Sequence, residues 1–124
     1  MAIRTLIAMT AFWLSSNALV LAGPYDGLYF SVSSEGQRTS CDDGMVSNDG
    51  GPTRVDERVV SIPEGQCILS NPIEVRGFSA TLFDASCQQE DFGHPLQRLM
   101  VMKTREGVTL IWPNGYVQEL QSCP

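Results

Sequence analysis

The stretch GVTLIWPNGYVQEL, residues Gly107–Leu120, decides the fold class of this chain. Apolar and polar residues alternate on both sides of Pro113-Asn114-Gly115, the pattern of two short strands joined by a tight turn. Proline fixes φ at the first turn position, asparagine is tolerated at the second, and glycine can take the left-handed bulge position. This three-residue loop sets the register. Trp112 falls opposite Tyr116, Leu110 opposite Gln118 and Val108 opposite Leu120. An aromatic pair at such a position contributes roughly 0.2–1 kcal/mol over an alanine pair.

The same pattern recurs upstream. No stretch of the chain after residue 22 carries a sustained helical periodicity. Short segments rich in Val, Ile, Leu, Phe and Thr are instead punctuated by Gly, Pro, Asn and Asp. Strands are predicted at Leu28–Ser33, Val55–Ile62, Gln66–Ser70, Ile73–Arg76, Phe78–Cys87 and Arg98–Thr104, followed by the hairpin. Pro72 is expected to break the chain between the third and fourth of these. Long polar loops are expected over Gln37–Thr53 and Gln88–Pro95. The sum is an all-β domain, a small antiparallel barrel or sandwich of about seven or eight short strands; closure into a barrel would leave no exposed edge.

Residues 1–22 have the three-part logic of a secretory signal peptide: a cation at Arg4, an apolar run from Leu6 to Leu14, and small residues toward Ala22. Cleavage is expected before Gly23, with a cut after Ala18 as second choice, leaving a single soluble domain over residues 23–124. The uninterrupted apolar part falls short of the roughly 20 residues of a spanning helix. The expected location is the periplasm or the extracellular medium. All four cysteines, Cys41, Cys67, Cys87 and Cys123, lie beyond residue 22, and an oxidising compartment makes two disulfides the expected state. Three connectivities are open. Sequence proximity favours Cys41 with Cys67 and Cys87 with Cys123, each closure contributing about 3–4 kcal/mol in the chain-entropy model.

The formal net charge is −6; without Arg4 it becomes −7. Such an acidic domain repels phosphate backbones, which excludes nucleic acid as the expected partner and favours a basic protein. Catalytic chemistry has little to build on. His94 is the sole histidine and sits in a loop with no Gly-x-Ser-x-Gly element, so no Ser-His or Cys-His nucleophile is expected. The acid pairs Asp42-Asp43, Asp56-Glu57 and Glu90-Asp91 are adjacent in sequence, which on a strand sends them to opposite faces and in a loop leaves them solvated. Cys41-Asp42-Asp43-Gly44 through Asn48-Asp49-Gly50 offers oxygen atoms but lacks the alternate-position spacing and final Glu of a calcium loop. No cysteines stand at zinc-knuckle spacing. Neither an enzyme nor a bound metal or cofactor is therefore expected.

The pattern Gly107, Ile111-Trp112, Gly115 and Leu120 resembles the C-terminal signature of the bacterial membrane-bound and periplasmic inhibitors of chicken-type lysozyme. That resemblance implies a small exported β-barrel that binds a cell-wall hydrolase. The family often places Lys immediately before the second Gly, where it enters the lysozyme active site; here that position is Asn114. The expected contact surface is accordingly Asn114 at the hairpin tip, together with the cations Lys103 and Arg105 beside the hairpin. An exported non-enzymatic binding module of inhibitor type is the leading expectation. A structural or accessory envelope protein and a small-ligand carrier are the alternatives, and the sequence leaves the oligomeric state open.

Overall fold

The structure is a computed structural model that describes residues 23–63, 65–88 and 96–124. Its eight strands form one closed antiparallel barrel in which each strand pairs with its neighbours in sequence. They are β1 (Gly27–Phe30), β2 (Thr53–Asp56), β3 (Val59–Ile62), β4 (Gly65–Glu74), β5 (Ala80–Gln88), β6 (Leu96–Lys103), β7 (Gly107–Ile111) and β8 (Val117–Ser122). The seam closes between β1 and β8 through Tyr29 opposite Ser122 and Phe30 opposite Gln121. The expected all-β class is thus realised as a barrel.

Alternation along the strands fills the lumen. Val55, Val60, Cys67, Leu69, Ala85, Leu99, Val101, Val108, Leu110 and Leu120 are all buried and form one cluster. Full burial of each Val or Leu contributes roughly 1.5–3 kcal/mol, so these inward positions carry the fold. Adjacent positions on the same strands point outward, which is why Ile68 and Leu69 differ so completely in exposure.

Two expected boundaries are corrected. Val55–Ile62 is two strands, because Glu57 takes a positive φ of 49° and turns the chain between β2 and β3. Gln66–Ser70 and Ile73–Arg76 are one strand carrying a bulge: the register with β5 shifts between Ser70 and Ile73, with Asn71 at φ 50° and Pro72 inside the shift. Proline is tolerated there because the bulge leaves its position outside the ladder.

The favoured disulfide pairing is also corrected. Cys67 lies directly opposite Cys87 across β4 and β5, and those two are bonded inside the barrel. Cys41 is bonded to Cys123, 82 positions away. Sequence proximity misleads because pairing register decides which sulfurs meet. The Cys41–Cys123 bond holds the β1–β2 connection against the seam. That connection is more ordered than a plain polar loop: Asp42 caps a short 3-10 turn over Asp43–Met45 by accepting from the Gly44 N–H at 3.0 Å, Asp43 pairs with Arg54, and Ser40 N–H donates to the Gly50 carbonyl at 2.7 Å. The Arg38 guanidinium lies 4.1 Å from the centre of the Phe30 ring, covering an aromatic that the barrel turns outward.

An up-and-down meander alternates its turns between two ends. The N-terminal segment 23–26, the β2–β3 turn, the β4–β5 turn and the β6–β7 turn lie at one end, called here the mouth. The β3–β4 and β7–β8 turns lie at the other, the tip end. No helix among the described residues is long and apolar enough to cross a membrane.

Candidate functional site

The final hairpin has the register expected from its sequence: Val108 pairs with Leu120, Leu110 with Gln118 and Ile111 with Val117. Trp112 N–H donates to the Tyr116 carbonyl at 2.9 Å, and Gly115 N–H to the Trp112 carbonyl at 3.0 Å. Gly115 has φ 84°, the left-handed value that a side chain would disfavour. Gly107 serves at the other end of the strand, where a Cβ would stand 2.9 Å from the Leu120 carbonyl carbon.

The two aromatic rings are used differently. Trp112 is half-buried against the core, and its indole Nε1–H donates to Gln118 Oε1 at 3.0 Å. Tyr116 is 58% exposed and its neighbour Val117 is 48% exposed. Between them Asn114 is exposed at the turn, and its Oδ1 accepts the Tyr116 N–H at 3.0 Å. The tip is therefore a turn of fixed shape, held by its own backbone and by Asn114, that presents a tyrosine and a valine to solvent.

Lys103 and Arg105 are exposed, as expected, and lie beside the base of the same hairpin. They do not join Asn114. Lys103 pairs with Val108 at the mouth end of β7, and the whole of Gly107–Ile111 separates that end from the tip, roughly 17 Å at about 3.4 Å per residue. The alternation of turns imposes this separation, so the three expected contact residues form two places, with Asn114 at one and the cations at the other.

Among the acid pairs, Asp42 and Asp43 are taken up by the turn cap and the Arg54 pair, while Asp56 ends β2 and Glu57 forms the next turn. Glu90, Asp91 and His94 lie outside the described residues. No group of three His, Cys, Asp or Glu that could hold a metal ion occurs among the described residues.

The mouth contains an arrangement that sequence reasoning did not single out. Tyr25 is buried with its hydroxyl 2.8 Å from Thr81 Oγ1, and the Tyr29 hydroxyl donates to the Tyr25 carbonyl at 2.6 Å. Asp26 accepts from Gly23 N at 2.7 Å and from Glu57 N–H at 2.6 Å, tying the N-terminal segment to the β2–β3 turn. Burial, and secondarily the Asp26 carboxylate, raise the pKa of the Tyr29 phenol above its ordinary value. A cleft of about 670 Å³ opens beside this segment, bordered by Asp26, Glu57, Leu69, Pro72 and Phe83. Two tyrosines four residues apart gave the only available signal, and that spacing does not reveal a partner 56 positions away. Comparison with protein-family models, with curated proteins and with solved structures finds no match for the chain.

Proposed function

We propose that this protein is an exported, non-enzymatic binding module that engages a basic cell-wall hydrolase with its β7–β8 hairpin tip. One observation carries the proposal: the tip exposes Tyr116 and Val117 on a turn whose shape is already fixed by internal hydrogen bonds. A preorganised turn gives up little conformational freedom on binding, and an exposed tyrosine supplies the kind of amphipathic anchor that protein interfaces favour. The two disulfides accord with an oxidising compartment. The acidic balance of the chain would speed encounter with a basic target. The resemblance of the hairpin to lysozyme inhibitors supplies the target class. Asn114 in place of the inserted lysine implies recognition by apolar contact and amide hydrogen bonding, without a cation in the active site. The lumen is packed with side chains, which weighs against a ligand carrier.

The test is lysis of a cell-wall suspension by a basic lysozyme at low salt. The purified protein is expected to slow lysis, salt is expected to weaken the effect, and Tyr116→Ala is expected to weaken it about tenfold or more. Unchanged lysis at high micromolar protein would exclude this target.

A further inference from the structure

The segment that enters the mouth begins at a nitrogen seated on a carboxylate. Gly23 N donates to Asp26 Oδ2 at 2.7 Å, and the other oxygen of that carboxylate accepts the Glu57 N–H at 2.6 Å. Asp26 N–H closes the turn a second time on the Gly23 carbonyl at 3.2 Å. A Cβ on residue 23 would stand 2.8 Å from Asp26 Oδ1, so a side chain there would push the carboxylate off its two donors. Glycine at this position belongs to the contact.

Gly23 is also the residue at which the sequence places the start of the mature chain. Hydrolysis of the peptide bond before it consumes one water, leaves a carboxylate on the departing leader and frees the Gly23 nitrogen as an amine. That amine takes up a proton at neutral pH, because an α-amino group ordinarily titrates at about 7.7–8.0. The atom that gains the positive charge is the one already placed on Asp26. Its surroundings favour the charge: the cleft that Gly23 borders carries Asp26, Glu57 and Glu74 against one cation, Arg58. We infer that cleavage before Gly23 completes the mouth, the new α-ammonium binding the Asp26 carboxylate as an ion pair that fixes the segment carrying Tyr25 into the barrel. In the uncut chain the same nitrogen offers a peptide N–H, so the cut replaces a hydrogen bond charged on one side by a pair of opposite charges. Tyr25 is then held from two directions, by Thr81 at its hydroxyl and by the residues on either side of it.

The inference rests on the reading of the chain as exported, and the test reads the two separately. The intact mass of protein recovered from the periplasm or medium of expressing cells is expected to match a chain beginning at Gly23. A chain beginning at Leu19 or Met1 would overturn the proposal through its export premise. With the mature protein, an NMR titration of the Gly23 Hα resonances is expected to put the α-amino pKa about one unit or more above its ordinary range, and Asp26→Asn to return it to that range. An ordinary value in the native protein would overturn the ion pair while leaving export intact, as would a raised value that survives Asp26→Asn. Stability gives a second readout. A raised folded pKa contributes stability that is complete below about pH 8 and is lost as pH rises through the folded value; Tyr29, raised above 10.0, titrates beyond that window. Protein with one extra alanine ahead of Gly23, which moves the amine off Asp26, is expected to melt about 4–8 °C lower at neutral pH. Asp26→Asn is expected to remove the difference between the two forms. Equal melting of the two forms, or a difference that persists in Asp26→Asn, would overturn the proposal.

Discussion

The two ends of the barrel are both closed by aromatic residues, in opposite ways. At the mouth, Tyr25 is drawn inside, its hydroxyl on Thr81, while Tyr29 donates to its carbonyl and Asp26 binds two backbone nitrogens. At the tip, Trp112 goes only halfway in with one hydrogen bond to Gln118, and Tyr116 stays out in solvent. A polar group taken into a barrel end must be hydrogen-bonded or it costs several kcal/mol. The mouth meets that demand with a network, and its tyrosines are consumed by the fold. The tip avoids the demand by leaving its polar groups wet, and its tyrosine remains available to a partner.

Mutations should separate the two ends by size of effect. Tyr25→Ala removes a buried aromatic and leaves Thr81 Oγ1 without its partner, so it is expected to cost about 3–5 kcal/mol and to lower Tm by roughly 15–30 °C. A loss below about 1 kcal/mol in denaturant titration would mean that the mouth is not sealed by this residue.

A smaller effect is expected from Tyr29→Phe, about 1 kcal/mol at neutral pH for the lost hydrogen bond. Its pH dependence is the sharper readout. The phenol pKa is raised in the fold above the ordinary 10.0, by burial first and Asp26 second. Below pH 10 the group is protonated folded and unfolded, and its contribution is complete. As pH rises from about 10 through the folded value, the unfolded chain loses its proton first and stability falls. Tyr29→Phe should flatten that alkaline decline, and an unchanged slope would show that Tyr29 does not set it.

The smallest effect belongs to the tip. Asn114→Ala removes one exposed hydrogen bond and is expected to cost about 0.5 kcal/mol. A loss comparable with that of Tyr25→Ala would erase the contrast between the ends.

The hairpin was legible in the sequence because everything that shapes it is local: Pro113, Asn114 and Gly115 fix the turn, and the turn fixes the register. The all-β class and approximate strand number followed from the same local punctuation. Features resting on register between distant strands were not legible. The turn at Glu57 carries neither glycine nor proline, so β2 and β3 read as one strand. The bulge at Asn71 and Pro72 resembles a strand end until β5 is in place beside it. Cys67 meets Cys87 only once β4 and β5 have paired in their register, and Tyr25 meets Thr81 only once the barrel has closed. Asn114, Lys103 and Arg105 are near in sequence, yet the meander sends alternate turns to opposite ends.

The seam between β1 and β8 bears on the order in which the molecule assembles. Every other pairing joins segments that follow one another, the longest connection being that between Phe30 and Thr53, whereas the seam joins the two extremes of the barrel and must bring together almost its whole length. Loop-closure entropy delays such contacts, and non-local pairing is the slow step in β-rich chains. The two disulfides then mark different moments. Cys67 and Cys87 can meet within the single β4–β5 hairpin, while Cys41 and Cys123 are brought together only as the seam closes. Trapping free thiols during oxidative refolding should find the inner bond first, with the outer bond timing the closure of the cylinder.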